Sequence, residues 1–157
     1  MRSLSKPALL FIGLSFVASP ALADKDPKKS AIKARQGEMQ LRAFNAGPLF
    51  AMAKGDMPYD AEMAAKLAGN LKLLLDLDNG RAWMKGTSNE DYPDETTALP
   101  EIWSTWPEIA DYGKEYAKAV KALATVAGDG RDALKSKVKD LGQACKDCHD
   151  EFREEDE

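Results

Sequence analysis

The sequence predicts an all-α chain folded as an antiparallel four-helix bundle, and three observations carry that expectation. Apolar residues recur at three- and four-residue spacing through four separate stretches. Strand-like alternation is absent and β-branched residues are few. The connections before the second and fourth stretches are short, so neighbouring helices run antiparallel, with one longer loop crossing the bundle.

The first stretch follows a polar leader from Asp24 to Ser30, and its pattern runs through Ile32, Arg35, Met39, Ala43, Ala46, Phe50 and Ala53. Gly47-Pro48 should bend it or loosen a turn, because proline lacks a donor and crowds the preceding turn. Gly55-Asp56-Met57-Pro58 makes a tight connection, after which Asp60 can cap the next helix. That second stretch is read from Asp60 to about Lys85, with Met63, Leu67, Leu71, Leu74 and Leu75 on one face. A polar segment from Gly86 to Pro100 follows. The third helix opens at Pro100, with Glu101 at its positive end. Its stripe is Ile102, Trp106, Ile109, Gly113, Tyr116, Val120, Leu123 and Ala127, ended sharply by Gly128-Asp129-Gly130. The fourth helix carries Leu134, Val138, Leu141, Cys145, Cys148 and Phe152 in alternating steps of four and three, the seam of a bundle.

That last seam contains the most specific signal in the chain. The only two cysteines and the only histidine fall in one run, Cys145-Lys146-Asp147-Cys148-His149. C-x-x-C-H is the signature of covalent haem attachment. Each thiol adds across one haem vinyl group, and the adjacent imidazole is placed to ligate the iron from the proximal side. The last helix is therefore a C-terminal haem-attachment helix, carrying one covalent haem c per chain. A small redox disulfide or half of a zinc site are the competing readings. Zinc would want further Cys or His ligands, which the sequence does not contain, and redox disulfides usually open a helix in an alternating strand and helix chain.

Residues 1–23 read as a cleaved signal peptide: Arg2 and Lys6 precede an apolar run from Ala8 to Ala18, and Ala21-Leu22-Ala23 suits a small-residue cleavage site. The run is shorter than the ~20 residues that span a bilayer. Residues 24–157 then form one haem-binding domain, and the expected location is the periplasm, since haem attachment of this type follows export. With 22 basic and 26 acidic residues in the whole chain, losing Arg2 and Lys6 leaves a charge of about −6, which argues against nucleic acid. The acidic tail around Glu151, Glu154, Glu155, Asp156 and Glu157 is read as a solvated, fraying helix end. With the only histidine committed to iron, no Cys/His nucleophile pair and no histidine-based triad remains, so the chain is not read as an enzyme.

On these residues the chain resembles the class II c-type cytochromes, the cytochrome c′ family. The attachment string lies near the C-terminus, and Cys145 to Arg153, reading C-K-D-C-H-D-E-F-R, is similar to the family's attachment segment. Arg35-Gln36 resembles its first helix. Lys54-Gly55 with Pro58-Tyr59-Asp60 resembles its first turn, and Ala98 to Trp103 the start of its third helix. The resemblance implies Cys145 and Cys148 as haem attachment points and His149 as proximal ligand. It implies Arg35 and Gln36 near the propionates, Arg153 near the exposed face of His149, and Thr97 as a further haem contact. Trp83, Trp103 and Trp106 either line the haem or are ordinary core.

The resemblance also implies that Met39, one helical turn after Arg35, lies over the distal face of the iron. In low-spin relatives a methionine there binds iron; in cytochrome c′ proper the residue shields an open site. Met39 either ligates or shields, and the resemblance of Arg35-Gln36 to the five-coordinate members favours shielding. Electron transfer with a redox partner protein is the primary functional reading, and binding of nitric oxide or carbon monoxide the alternative. Leu41 and Phe44 are positions suited to a homodimer of the kind common in the family.

Overall fold

The computed structural model describes residues 26–155; the signal sequence, the expected start near Asp24, and Asp156 and Glu157 lie outside them. Four long helices make the bundle: α1 (Pro27–Lys54), α2 (Ala61–Leu74), α4 (Trp106–Val126) and α5 (Arg131–Phe152). A short helix α3 (Glu101–Ser104) precedes α4, and a 3-10 turn (Gly80–Trp83) lies in the connection after α2. Packing runs around a ring, α1 on α2, α2 on α4, α4 on α5 and α5 on α1. No described helix is long and apolar enough to cross a membrane.

Local chemistry sets the ends. Asp26 caps α1 by accepting from the Lys28 and Lys29 amides, with Pro27 in the first turn, where its missing N–H costs nothing. The helix thus starts within the segment read as a polar leader. Asp60 caps α2 as expected, accepting from Met63 N at 2.9 Å. Pro48 lies inside α1 without ending it.

The turn between α1 and α2 is clasped from the other end of the chain. Gly55 sits at φ 92, and a Cβ there would come within 2.5 Å of the Arg131 guanidinium. That guanidinium donates from Nε to Met52 O at 3.1 Å and from Nη2 to Ala53 O at 3.4 Å, capping the open carbonyls of α1. Tyr59 adds a second clasp. Its hydroxyl donates to Ala127 O and accepts from Gly130 N, each at 2.9 Å, tying the turn to the junction of α4 and α5. Gly55→Ala is therefore expected to cost about 1–3 kcal/mol, the left-handed backbone penalty plus the displaced cap, read as a lower urea midpoint.

Three expectations are corrected. The helix read to Lys85 ends at Leu74, because Asp76, Asp78, Asn79 and Gly80 favour turns over helix. The third helix is broken at Thr105 (φ −112, ψ 35), since Pro107 has no N–H to continue the ladder of the turn before it. The acidic tail does not fray through Glu154. Ala98 and Arg153 form an antiparallel bridge, with Leu99 N donating to Phe152 O at 3.0 Å and Glu154 N to Thr97 O at 2.8 Å.

The core also shifts the phase of two helices. On α1 the buried positions are Ala31, Ile32, Arg35, Glu38, Asn45, Leu49, Met52 and Ala53, one residue off the expected stripe from Glu38 to Met52. On α2 they are Ala64, Ala68 and Leu71, so small residues bring it close to its neighbours while Met63 is exposed. On α5 the expected seam holds, with Leu134, Val138, Leu141 and Phe152 buried and Cys145 and Cys148 half-buried.

Candidate haem site

Helix geometry brings Cys145, Cys148 and His149 onto one face. At ~100° per residue, these three and Phe152 fall within an arc of about 100° on α5. The helix runs unbroken through them and ends at Arg153, whose amide donates to His149 O at 3.0 Å. Both thiols are free. Cysteines three apart on a helix hold their Cβ atoms ~5–6 Å apart, beyond the reach of an unstrained disulfide. No cluster of three or more His, Cys, Asp or Glu side chains suited to a metal forms among the described residues.

The apolar core stops beside this segment. From Tyr116 to Ala127 the expected stripe of α4 is buried against α1, α2 and α5, but nearer its start Ile109 and Tyr112 are only half-buried, Gly113 is exposed and Trp106 is 48% exposed. The Tyr112 ring meets Phe152 edge-on at 5.3 Å, which sets this uncovered half of α4 along the attachment end of α5. Burial pushes both cysteine thiols above their ordinary pKa, with the Arg42 charge acting in the opposite sense. The His149 imidazole is pushed down, first by burial and then by the Arg153 cation.

Arg35 and Gln36 hold the crossing connection from the α1 side. Arg35 is 4% exposed. Its Nη1 donates to Ala82 O and Thr87 Oγ1, both at 3.2 Å, and its Nη2 to Thr87 O at 3.0 Å and Thr96 Oγ1 at 3.2 Å. The Trp83 and Trp103 rings lie against the guanidinium at 5.3 and 5.6 Å, and Trp103 Nε1 donates to Trp83 O at 2.9 Å. No carboxylate among the described residues pairs with this buried cation, and burial alone pushes its pKa down. Gln36 Nε2 donates to Glu95 O at 2.6 Å. The exposed Thr97 meets the end of α5 through the bond from Glu154 to its carbonyl. Arg35 and Gln36 thus reach one side of segment 95–98, and Arg153 pairs with the other. Met39 is half-buried on α1.

The sequence reading missed Glu38, Arg42 and Asn79, and read Tyr116 only as part of the buried stripe. Arg42 pairs with Glu38, whose other oxygen accepts from Asn79 Nδ2 at 2.7 Å, and the Arg42 guanidinium lies 4.5 Å over the Tyr116 ring. The signal was available. Counting from Arg35 in steps of three and four gives Glu38, Arg42, Asn45, Leu49 and Met52, so an acid and a base four apart fall on the seam itself.

The residues fit a covalently attached haem. Two free, half-buried thiols and a histidine share one helix face where the apolar core gives out. A helical bundle with C-x-x-C-H on its last helix defines the class of c-type cytochromes with a C-terminal attachment segment.

Comparison with known proteins narrows the class. A family model described as cytochrome c′ matches residues 30–153. Cytochrome c′ of Cereibacter sphaeroides is 39% identical over 136 residues, 87% of this chain and 91% of that protein. Cytochrome c-554 of the same organism is 36% identical over 157 residues, 99% of this chain and 100% of that protein. The solved cytochrome c′ of Rhodobacter spheriodes has a TM-score of 0.80 at 38% identity, covering 82% of this chain and 98% of its own. The chain belongs to the cytochrome c′ family, whose members are haem-binding carriers and not enzymes. Two further solved relatives bear on ligands. One is a nitric oxide complex of a mutant cytochrome c prime from Alcaligenes xylosoxidans, at 29% identity and TM-score 0.71, covering 82% of this chain and 97% of its own. The other is a cytochrome c′ with ligand-controlled dimer dissociation, at 25% identity and TM-score 0.73, with the same coverage.

Proposed function

We propose that this is a periplasmic, exported monohaem cytochrome c′ that binds nitric oxide or carbon monoxide at its haem iron. The observation that carries this reading is the end of the apolar core beside Cys145, Cys148 and His149. Cys145 and Cys148 would hold haem c through thioethers and His149 would ligate its iron. The haem, when bound, supplies an iron centre that takes a diatomic ligand and cycles between two oxidation states. Arg35, whose four Nη hydrogens already meet Ala82, Thr87 and Thr96, would act on a propionate through its uncompensated charge, with Gln36 and Thr97 beside the same connection. Arg153 lies near enough for its charge to reach His149.

Met39 decides access to the sixth position, and shielding is the reading carried forward. The reduced protein is then expected to be high-spin, and Met39→Ala to speed carbon monoxide uptake by about tenfold or more without changing spin state. Stopped-flow mixing with carbon monoxide checks this. A low-spin wild type that Met39→Ala converts to high-spin would make Met39 a ligand and overturn the gas-binding assignment.

One-electron transfer to a redox partner protein is the second reading. It stood first on sequence grounds; the nitric oxide complex among the relatives reverses the order, while the full-length similarity to a cytochrome c-554 keeps electron transfer in place. Leu41 and Phe44 on α1 are 51% and 76% exposed, and they are the apolar positions on which a second copy would dock.

A further inference from the structure

α5 ends at Phe152, one turn past His149, and the carbonyls of a helix's last turn have no partners within the helix. Segment 97–99 and Asn89 supply partners from outside. Leu99 N–H donates to Phe152 O at 3.0 Å, Glu154 N–H to Thr97 O at 2.8 Å, and Asn89 Nδ2 to Glu154 Oε2 at 3.1 Å. The segment is itself anchored. Asn89 N–H donates to Ala98 O at 2.7 Å, and the hydroxyl of the buried Thr96 accepts from Ala98 N and from Arg35 Nη2, both at 3.2 Å. A path of hydrogen bonds thus runs from α1 through the connection to the residues that follow the attachment segment.

Between the two strapped residues lies Arg153. It is half-buried and held in an extended conformation (φ −128, ψ 132), with its amide on His149 O at 3.0 Å. Of the charges that bear on the His149 ring, the Arg153 cation comes first and the Asp150 carboxylate opposes it. Without the strap the end of α5 would fray, and the cation would move into water, where its field is screened. Position matters because reduction removes one positive charge from a haem iron, so a cation kept close favours the ferrous state.

We propose that Glu154 is a positioning residue for the iron centre: by strapping the end of α5 to Thr97 and Asn89, it holds the Arg153 cation beside His149 and so raises the reduction potential. This rests on His149 ligating the iron. The strap then sets how much of the protein is ferrous at a given poise, which matters for carbon monoxide uptake and for electron transfer alike. Glu154 acts only through Arg153, since its own carboxylate is taken up by Asn89.

Two variants of equal charge isolate the strap. Glu154→Gln keeps the amide N–H and an oxygen for Asn89, whereas Glu154→Pro has neither, and proline accepts the extended backbone that Arg153 already has. The test is spectroelectrochemical titration of the full haem-loaded protein, with amide exchange followed on the same samples. At a fixed poise the ferrous-to-ferric ratio should be about threefold lower in Glu154→Pro than in Glu154→Gln. Exchange of the Leu99 amide should be about tenfold faster. With Arg153→Gln added to both, the difference in ratio should vanish while the faster exchange stays, a separation that general loss of structure would not give. Equal ratios in the two single variants, or a difference that persists without Arg153, would overturn the proposal. A preparation lacking a haem spectrum would sink the His149 reading and the strap together, whereas an intact spectrum with equal ratios would sink the strap alone.

Discussion

Arg35→Leu is expected to cost about 3–5 kcal/mol of stability, read as a fall in the urea midpoint. The side chain makes four hydrogen bonds to Ala82, Thr87 and Thr96, all within the connection between α2 and α3. Leucine would fill part of the space between Trp83 and Trp103 but leave two buried carbonyls without donors. The loss should be local as well as global. Exchange of the Asn89 and Thr96 amides, bonded within the same connection to Ala98 O and Tyr92 O, should speed up ahead of those in α5. Arg35→Lys should recover less than half of the loss, since a single ammonium cannot reach four acceptors set out for a planar fork. A surface cation would have shifted stability by no more than about 0.5 kcal/mol.

His149→Ala should have a small consequence in the haem-free chain and a large one in the haem-loaded chain. The residue is exposed overall, its ring only partly shielded by neighbours, and the side chain caps nothing in the described structure, so in the haem-free bundle the change should stay within about 0.5 kcal/mol. In the loaded protein it removes the proximal nitrogen. The visible spectrum should change outright, and thermal stability should fall by about 2 kcal/mol or more, since ligation that exists only in the native state adds directly to folding free energy. Equal small effects in both forms would detach His149 from iron.

How much of this was legible in the sequence differs by helix. On α5 the three-and-four pattern of Leu134, Val138, Leu141, Cys145, Cys148 and Phe152 survives intact, because apolar and half-buried side chains there all face α4 and α1. The Asp60 cap and the Gly55 turn were also readable, each resting on chemistry within a few residues. The phase of α1 was not. Its seam holds Glu38, Arg42 and Asn45, and the first and last of these meet partners far along the chain, Asn79 and Asn70, so an apolar count slides one residue toward Met39 and Phe50. The end of α2 was overrun for a related reason: Leu75 and Leu77 keep the apolar rhythm going, although the aspartates between and after them favour a turn.

Within the site, the clustering of Cys145, Cys148 and His149 on one helix face was readable from spacing alone, while the environment of Arg35 was not. Position on α1 brings it near segment 95–98. Nothing local in the sequence says that its donors reach Ala82, Thr87 and Thr96, since each of these contacts spans more than forty residues. The docking of Arg153 and Glu154 on segment 97–99 was hidden in the same way, by an acidic composition that reads as solvated tail.

The central claim is that Cys145, Cys148 and His149 hold one covalent haem, and intact mass spectrometry of the exported protein after acid and organic extraction tests it most directly. The account predicts a single species, the chain beginning near Asp24 plus the mass of one haem, with no pigment in the organic phase. Substituting either cysteine should leave the haem held by one bond, and substituting both should release it. A chain mass without haem, or haem recovered free in the solvent from the wild type, would contradict the account.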